Sequence, residues 1–158
     1  MPATALRHIE DAACAAYPHE CCGLLAGTRD ADGGVTVSRA VTSRNLAETD
    51  TLDSFEVDPQ VRFDLMRALE AAGGGEEIVG HYHSHPDHPA VPSARDLAMA
   101  YEPDLIWVIA ASRPDGIAEV RAHALDAAGT RFSEIPLQIT DADTYGSATT
   151  FDDGDFDT

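Results

Sequence analysis

Residues 80–96, GHYHSHPDHPAVPSARD, place His81, His83, His85 and His88 within eight positions and follow them with Ser93 and Asp96. Imidazoles, a hydroxyl and a carboxylate at this density can bind a metal ion, sense pH or decorate a solvated loop. Extended geometry narrows the choice. If IVGHYHSH is a strand, side chains alternate, so His81, His83 and His85 share one face while Tyr82 and Ser84 share the other. Neighbours on that face lie about 6.6 Å apart, close enough for two imidazoles to converge on one zinc ion with Zn–N bonds of about 2.0–2.1 Å. A His-x-His pair is therefore a natural clamp.

The second half of the segment supplies what the clamp lacks. Pro86 and Pro92 stiffen the connection, and Ser93 suits the N-cap of a helix that begins at Ala94. Asp96 then falls at the third helical position, on the same side as Ser93. Taken alone this is a helix start, with Ser93 bonding the backbone and Asp96 complementing the positive helix end. Beside the histidines, the same turn can deliver a carboxylate to a metal and a hydroxyl next to it. Two nitrogens and one oxygen leave a fourth tetrahedral position for water, the ligand count of a catalytic zinc site. Hydrolysis also needs a base that is not a ligand. The candidate is Glu20, in YPHECCGLLAG at the mouth of an apolar strand; a solvated boundary residue is the competing reading.

Mixed elements must position these groups. Residues 4–16 carry Leu6, Ile9, Ala13 and Ala16 near one helical face and stop before Pro18. CCGLLAG, the turn-rich TRDADGG and VTVSRAVTS read as a hairpin. SFEV reads as a further strand, and Asp58-Pro59 as an N-cap with proline in the first turn. The helix that follows puts Val61, Leu65, Met66 and Leu69 inward and ends at GGG. EEIVGHYHSH, DLIWVIAAS, IAEVRAHAL and TRFSEIPL are strands, and SARDLAMAYE is a short helix. The pattern predicts an α/β (α+β) domain, a layered sheet with helices.

Composition bounds the function. At 158 residues the chain suits one domain. Its formal net charge of −18 argues against nucleic acid, which needs clustered Lys and Arg. No apolar run approaches a membrane span or a signal segment, so the expectation is a cytoplasmic protein with no membrane association. Cys14, Cys21 and Cys22 make a poor disulfide framework and read as reduced thiols. Residues 139–158 are polar and acidic, with no base, and predict a disordered tail after a domain of residues 1–138.

His83-x-His85, seven residues and Ser93-x-x-Asp96, preceded by Glu20 in a Pro18-x-Glu20-x-Cys22-Gly23 setting, resemble the JAMM, or MPN+, zinc metallopeptidases. The likeness runs from about residue 4 to 136 and departs from the family pattern at no motif position. It implies a central mixed sheet flanked by helices, similar in outline to cytidine deaminases. It implies zinc held by His83, His85 and Asp96, with Glu20 as general base and Ser93 as hydrogen-bond donor to the oxyanion. His81 is then expected to line the cleft, His88 to be exposed and Cys22 to be a packing residue. The chain resembles the short prokaryotic branch, whose substrates are ubiquitin-like or sulfur-carrier proteins of the ThiS/MoaD type ending in Gly-Gly, received as an extended strand along a sheet edge. A homodimer is compatible with it. A non-catalytic MPN scaffold and a zinc hydrolase of a small molecule are the alternatives; the second lacks the deaminase signature.

Overall fold

The computed structural model describes residues 1–48 and 51–141. The predicted tail therefore lies mostly outside the described residues. Among the described residues three helices, α1 (Ala3–Ala16), α2 (Pro59–Ala72) and α3 (Ala94–Ala98), accompany six strands: β1 (Cys22–Arg29), β2 (Val35–Ser43), β3 (Glu77–Pro86), β4 (Ile106–Arg113), β5 (Gly116–Leu125) and β6 (Phe132–Ile135). The strands form one mixed sheet in the order β2-β1-β3-β4-β5-β6. Only β3 and β4 run parallel, joined through α3; the other neighbours are antiparallel. No helix among the described residues is long and apolar enough to cross a membrane.

The two faces of the sheet have different contents, and alternation along β3 decides which is which. Tyr82 points into the larger core with Ile9 and Ala13 of α1, Leu25 of β1 and Val108 of β4, and Val79 joins it because the register shifts there, Leu25 pairing with Gly80 and Ala26 with Ile78. Tyr82 is fully buried, its hydroxyl 3.0 Å from Thr42 Oγ1. The opposite face carries Leu24 and Ala26 beneath Leu65 and Leu69 of α2. Burying each of these leucines stabilises the layer by about 1.5–3 kcal/mol. Gly23 pairs with Tyr82 across β1 and β3. A Cβ at Gly23 would collide with the Val41 carbonyl and the Tyr82 ring, so glycine is what lets the sheet hold a tyrosine there.

Local signals place α2 well. The Asp58 side chain accepts from Gln60 N, proline stands in the first turn, and Gly73 closes the helix in the left-handed region at φ 65°. Met66 is a correction: it is 54% exposed. The helix meets the sheet along the i, i+4 stripe of Val61, Leu65 and Leu69, and Met66 lies one residue, about 100°, around the cylinder. SFEV also departs from its predicted strand. Only Val57 bridges, to Asn45, because the Asn45 side chain takes the place of a ladder. Its Oδ1 accepts from Ala47 N and Glu56 N, both at 3.0 Å, and its Nδ2 donates to Glu20 O at 3.1 Å and Ser54 O at 2.9 Å.

Candidate metal centre and its cleft

The face of β3 that carries His81, His83 and His85 meets the first turn of α3. There His83 Nε2 lies 3.0 Å from His85 Nε2, 3.4 Å separates His83 Nε2 from Asp96 Oδ1, and 3.3 Å separates His85 Nε2 from Asp96 Oδ2. All three residues are buried, and their ligating atoms fall within 4.8 Å of one another. The expected trio is thus assembled from two successive elements, β3 and α3, joined by a short proline-containing loop.

Each member is held from behind. Asp96 closes a capping box: Asp96 N donates to Ser93 Oγ at 3.1 Å, and Ser93 N donates to Asp96 Oδ2 at 2.6 Å. Helix start and donor cluster therefore share one carboxylate. His85 Nδ1 lies 2.9 Å from Pro89 O; a carbonyl only accepts, so Nδ1 carries a proton and the neutral ring presents its lone pair at Nε2. Phe55 stacks on His83 with centroids 4.3 Å apart and an 18° interplanar angle. Trp107 stands edge-on to His81 at 4.1 Å. His81 is buried in this aromatic wall, its ring centroid 6.3 Å from that of His83, whereas His88 is exposed and lines the cavity beside His85.

Glu20 reaches the cluster through the start of β1. Cys21 N donates to Ser84 Oγ at 2.8 Å and Ser84 N donates to Cys21 O at 3.1 Å. Since Ser84 separates the two histidines, this pairing sets Glu20 beside His85. Glu20, His85 and Ser93 line a cavity of about 390 Å³ together with Asp53, His88, Pro89, Val91 and Pro92. A second cavity of about 260 Å³, lined by Phe55, Arg95, Asp96 and Met99 among others, opens on the other side of Asp96. Cys22 packs without exposure, 3.7 Å from Arg44 O, and burial pushes its thiol up to about 12. It stays protonated and is a packing residue.

Charge in the cleft is set by burial and by the trio itself. Burial pushes Glu20 up to about 8, an effect that His85 opposes and the Asp96 charge reinforces. Burial also works against the Asp96 carboxylate, yet the adjoining His83 and His85 hold it well below the usual carboxylate range. Desolvation pulls His83 down and takes His81 to about 3. For His85 burial is outweighed by Asp96 and the Pro89 carbonyl, and the ring sits above its ordinary value. Two Nε2 atoms 3.0 Å apart are placed to share one cation, and the buried carboxylate beside them adds the compensating charge. The donor set fits a divalent metal.

The Glu20 shift has a sign that denaturation can read. Its folded value of about 8 exceeds the ordinary 4.5, so the folded chain keeps a proton that the unfolded chain gives up. In metal-free protein this contribution is complete below pH about 4.5 and is lost as pH rises to about 8. Glu20→Gln is expected to flatten the decline of the denaturation midpoint across that window. An unchanged or steeper decline in the variant would contradict the assignment.

Sequence reasoning did not reach Phe55 as the stacking partner of His83, nor Ser84 as the link to Glu20. Alternation alone puts Ser84 on the far face, and nothing in the sequence announces that its hydroxyl ties two strands together.

Comparison with known proteins follows the same lines. The family model for prokaryotic homologues of the JAB domain matches residues 2–125. A desampylase of Haloferax volcanii is 35% identical over 134 residues, 85% of this chain and 88% of that protein. A CysO-cysteine peptidase of Mycobacterium bovis is 29% identical over 109 residues, 69% of this chain and 70% of its own. The crystal structure of a JAB1/MPN domain protein from Archaeoglobus fulgidus superposes with a TM-score of 0.52 at 21% identity, covering 85% of this chain and 93% of that one, a likeness of fold.

Proposed function

Because the chain belongs to the family of prokaryotic homologues of the JAB domain, we propose that it is a zinc-dependent isopeptidase or peptidase. It hydrolyses the amide bond that follows the C-terminal Gly-Gly of a small ubiquitin-like or sulfur-carrier protein. The relatives named for desampylation and for CysO-cysteine cleavage support the substrate class. The observation that carries the mechanism is the buried convergence of two Nε2 atoms and one carboxylate with a further buried acid, Glu20, in the adjoining cavity.

His83, His85 and Asp96 would hold the metal. Tetrahedral zinc with bonds of about 2.0–2.1 Å needs donors about 3.3 Å apart, close to the 3.0–3.4 Å separations of the trio. Zinc bound there supplies Lewis acidity, which brings the pKa of a water toward about 7 and polarises the scissile carbonyl. The remaining steps belong to the chain's own residues. Glu20 accepts the proton of the attacking water and returns it to the leaving amine, and its raised proton affinity suits a group that must do both near neutral pH. The Ser93 oxygen accepts from Asp96 N, which leaves its hydroxyl proton to donate to the carbonyl oxygen as negative charge develops.

A tail received as an extended strand would pair with backbone other than β3. β3 is hydrogen-bonded on both sides, to β1 and β4, so the strand that carries the site offers no free edge. Residues 53–56, which line one cavity or the other, are backbone that borders the cleft. A Gly-Gly tail suits this passage because larger side chains would meet Phe55.

Ser93→Ala should cripple turnover without abolishing it. Loss of one oxyanion donor lowers kcat by about 10²–10³, and loss of the cap destabilises the fold by about 1 kcal/mol. Steady-state kinetics beside a denaturation curve separates the two, and an unchanged kcat would remove Ser93 from the mechanism. The whole reading is tested by loading the protein with zinc, adding a ubiquitin-like protein whose Gly-Gly is extended by a few residues or joined to a lysine, and following mass. Cleavage after the second glycine, lost on chelation and restored by zinc, is expected. An intact substrate under metal-loaded conditions would overturn it, leaving the scaffold reading.

A further inference from the structure

We propose that Glu119, on β5 and outside the donor trio, is a positioning residue for His85, acting through a single peptide group. The Pro89 carbonyl that accepts from His85 Nδ1 at 2.9 Å belongs to the same peptide unit as Ala90 N, which donates to Glu119 Oε1 at 3.1 Å. A peptide that gives its N–H to a carboxylate is a stronger acceptor at its oxygen, because hydrogen bonds in a chain polarise one another. Ligating histidines commonly pass their second ring N–H to a carboxylate or carbonyl, which fixes tautomer and raises ligand basicity. Here the peptide of Pro89 and Ala90 stands between ring and carboxylate and transmits the orientation.

The surroundings hold both ends of this relay. Arg121 engages Glu119 Oε2 through Nε at 2.9 Å and Nη2 at 2.8 Å, which leaves Oε1 for Ala90. The next carbonyl, Ala90 O, lies 2.9 Å from His123 Nε2, and His123 is 3% exposed. Ala90 itself is fully buried and packs with Ile109 and Ala111. Two residues of β5 thus hold two successive peptide groups of the loop that orients His85. The Ala90 N–H is also the main cause that keeps the Glu119 carboxyl below its ordinary value. No pattern in the sequence links Glu119 to the HSHP segment; register along β5 does.

The inference rests on His85 being a ligand, and the experiment keeps the two separable. Wild type, Glu119→Ala and Glu119→Gln, each as the full chain, are compared by competition for zinc ion with a chromophoric chelator. The metal-free proteins are compared by the His85 ring N–H signal in NMR. Glu119→Ala is expected to weaken zinc binding about 10- to 100-fold and to shift or broaden the Nδ1–H signal. Glu119→Gln, whose amide oxygen still accepts from Ala90, should recover most of both. A purely structural role would lower the denaturation midpoint yet leave zinc affinity and the ring signal as in wild type, and that result overturns the proposal. If wild type itself binds no zinc, the ligand reading fails, while the ring signal still decides whether Glu119 positions His85.

Discussion

Glu20→Gln is expected to leave one zinc per chain and near-normal substrate binding while kcat falls by about 10²–10⁴, the usual contribution of a positioned acid–base group. In barrier terms this is about 2.7–5.4 kcal/mol at 1.36 kcal/mol per tenfold. The substitution is close to isosteric, so it opens no cavity in the wall shared with His85, Ser93 and Asp53. It also removes a group whose ionised form burial disfavours, so folding should not suffer. Loss of turnover in a stable, metal-loaded protein therefore isolates proton transfer. A variant that kept its zinc and cleaved at the wild-type rate would end the assignment of Glu20 as base.

Asp96→Ala is expected to have the largest effect on metal content. The change deletes a donor and also the acceptor of Ser93 N at 2.6 Å, so α3 loses half of its capping box. It leaves His83 and His85, both buried, facing each other without a carboxylate. Zinc affinity should fall by more than about 100-fold, the upper end of what substitutions one shell further out produce. Loss of a charge-assisted hydrogen bond adds a stability cost of about 1.5–3 kcal/mol. Asp96→Asn separates the two roles: its side-chain oxygen can still accept from Ser93 N, so the helix start is kept while the ligand charge is gone. Elemental analysis of both variants decides, and full occupancy in Asp96→Ala would take Asp96 out of the ligand set.

What could be read in advance was the part governed by local geometry. A period of two along residues 77–86 separates Tyr82 from the histidines before any neighbour is known, and Ser93 with Asp96 announces a helix start in the sequence alone. The hairpin of β1 and β2 and the boundaries of α2 follow from turn and cap residues in the same way. Contacts between distant segments were beyond reach. Met66 looked apolar enough to face inward, but the sheet accepts only the Val61, Leu65 and Leu69 stripe. SFEV looked like a strand, yet Asn45 takes several of the backbone groups that a ladder would use. The ring of Phe55 on His83 and the reach of Glu119 to Ala90 come from elements that meet only when the sheet is complete. Glu20 lies between these cases: its place at the mouth of an apolar strand made it a candidate, motif resemblance implied its role, and the pairing of Cys21 with Ser84 supplies the physical reason for its place.

The central position of β3 bears on when the chain can become a hydrolase at all. Glu20, His83, His85, Ser93 and Asp96 have all been synthesised by residue 96, but β4, which pairs with β3 along its parallel edge, begins only at Ile106. Glu119 and His123 emerge later still. A chain stopped before β4 would thus own every group of the proposed site without the strand that pairs with β3, where a slip of one residue would trade imidazoles for Tyr82 and Ser84. Completion of the proposed site is in this sense tied to completion of the sheet.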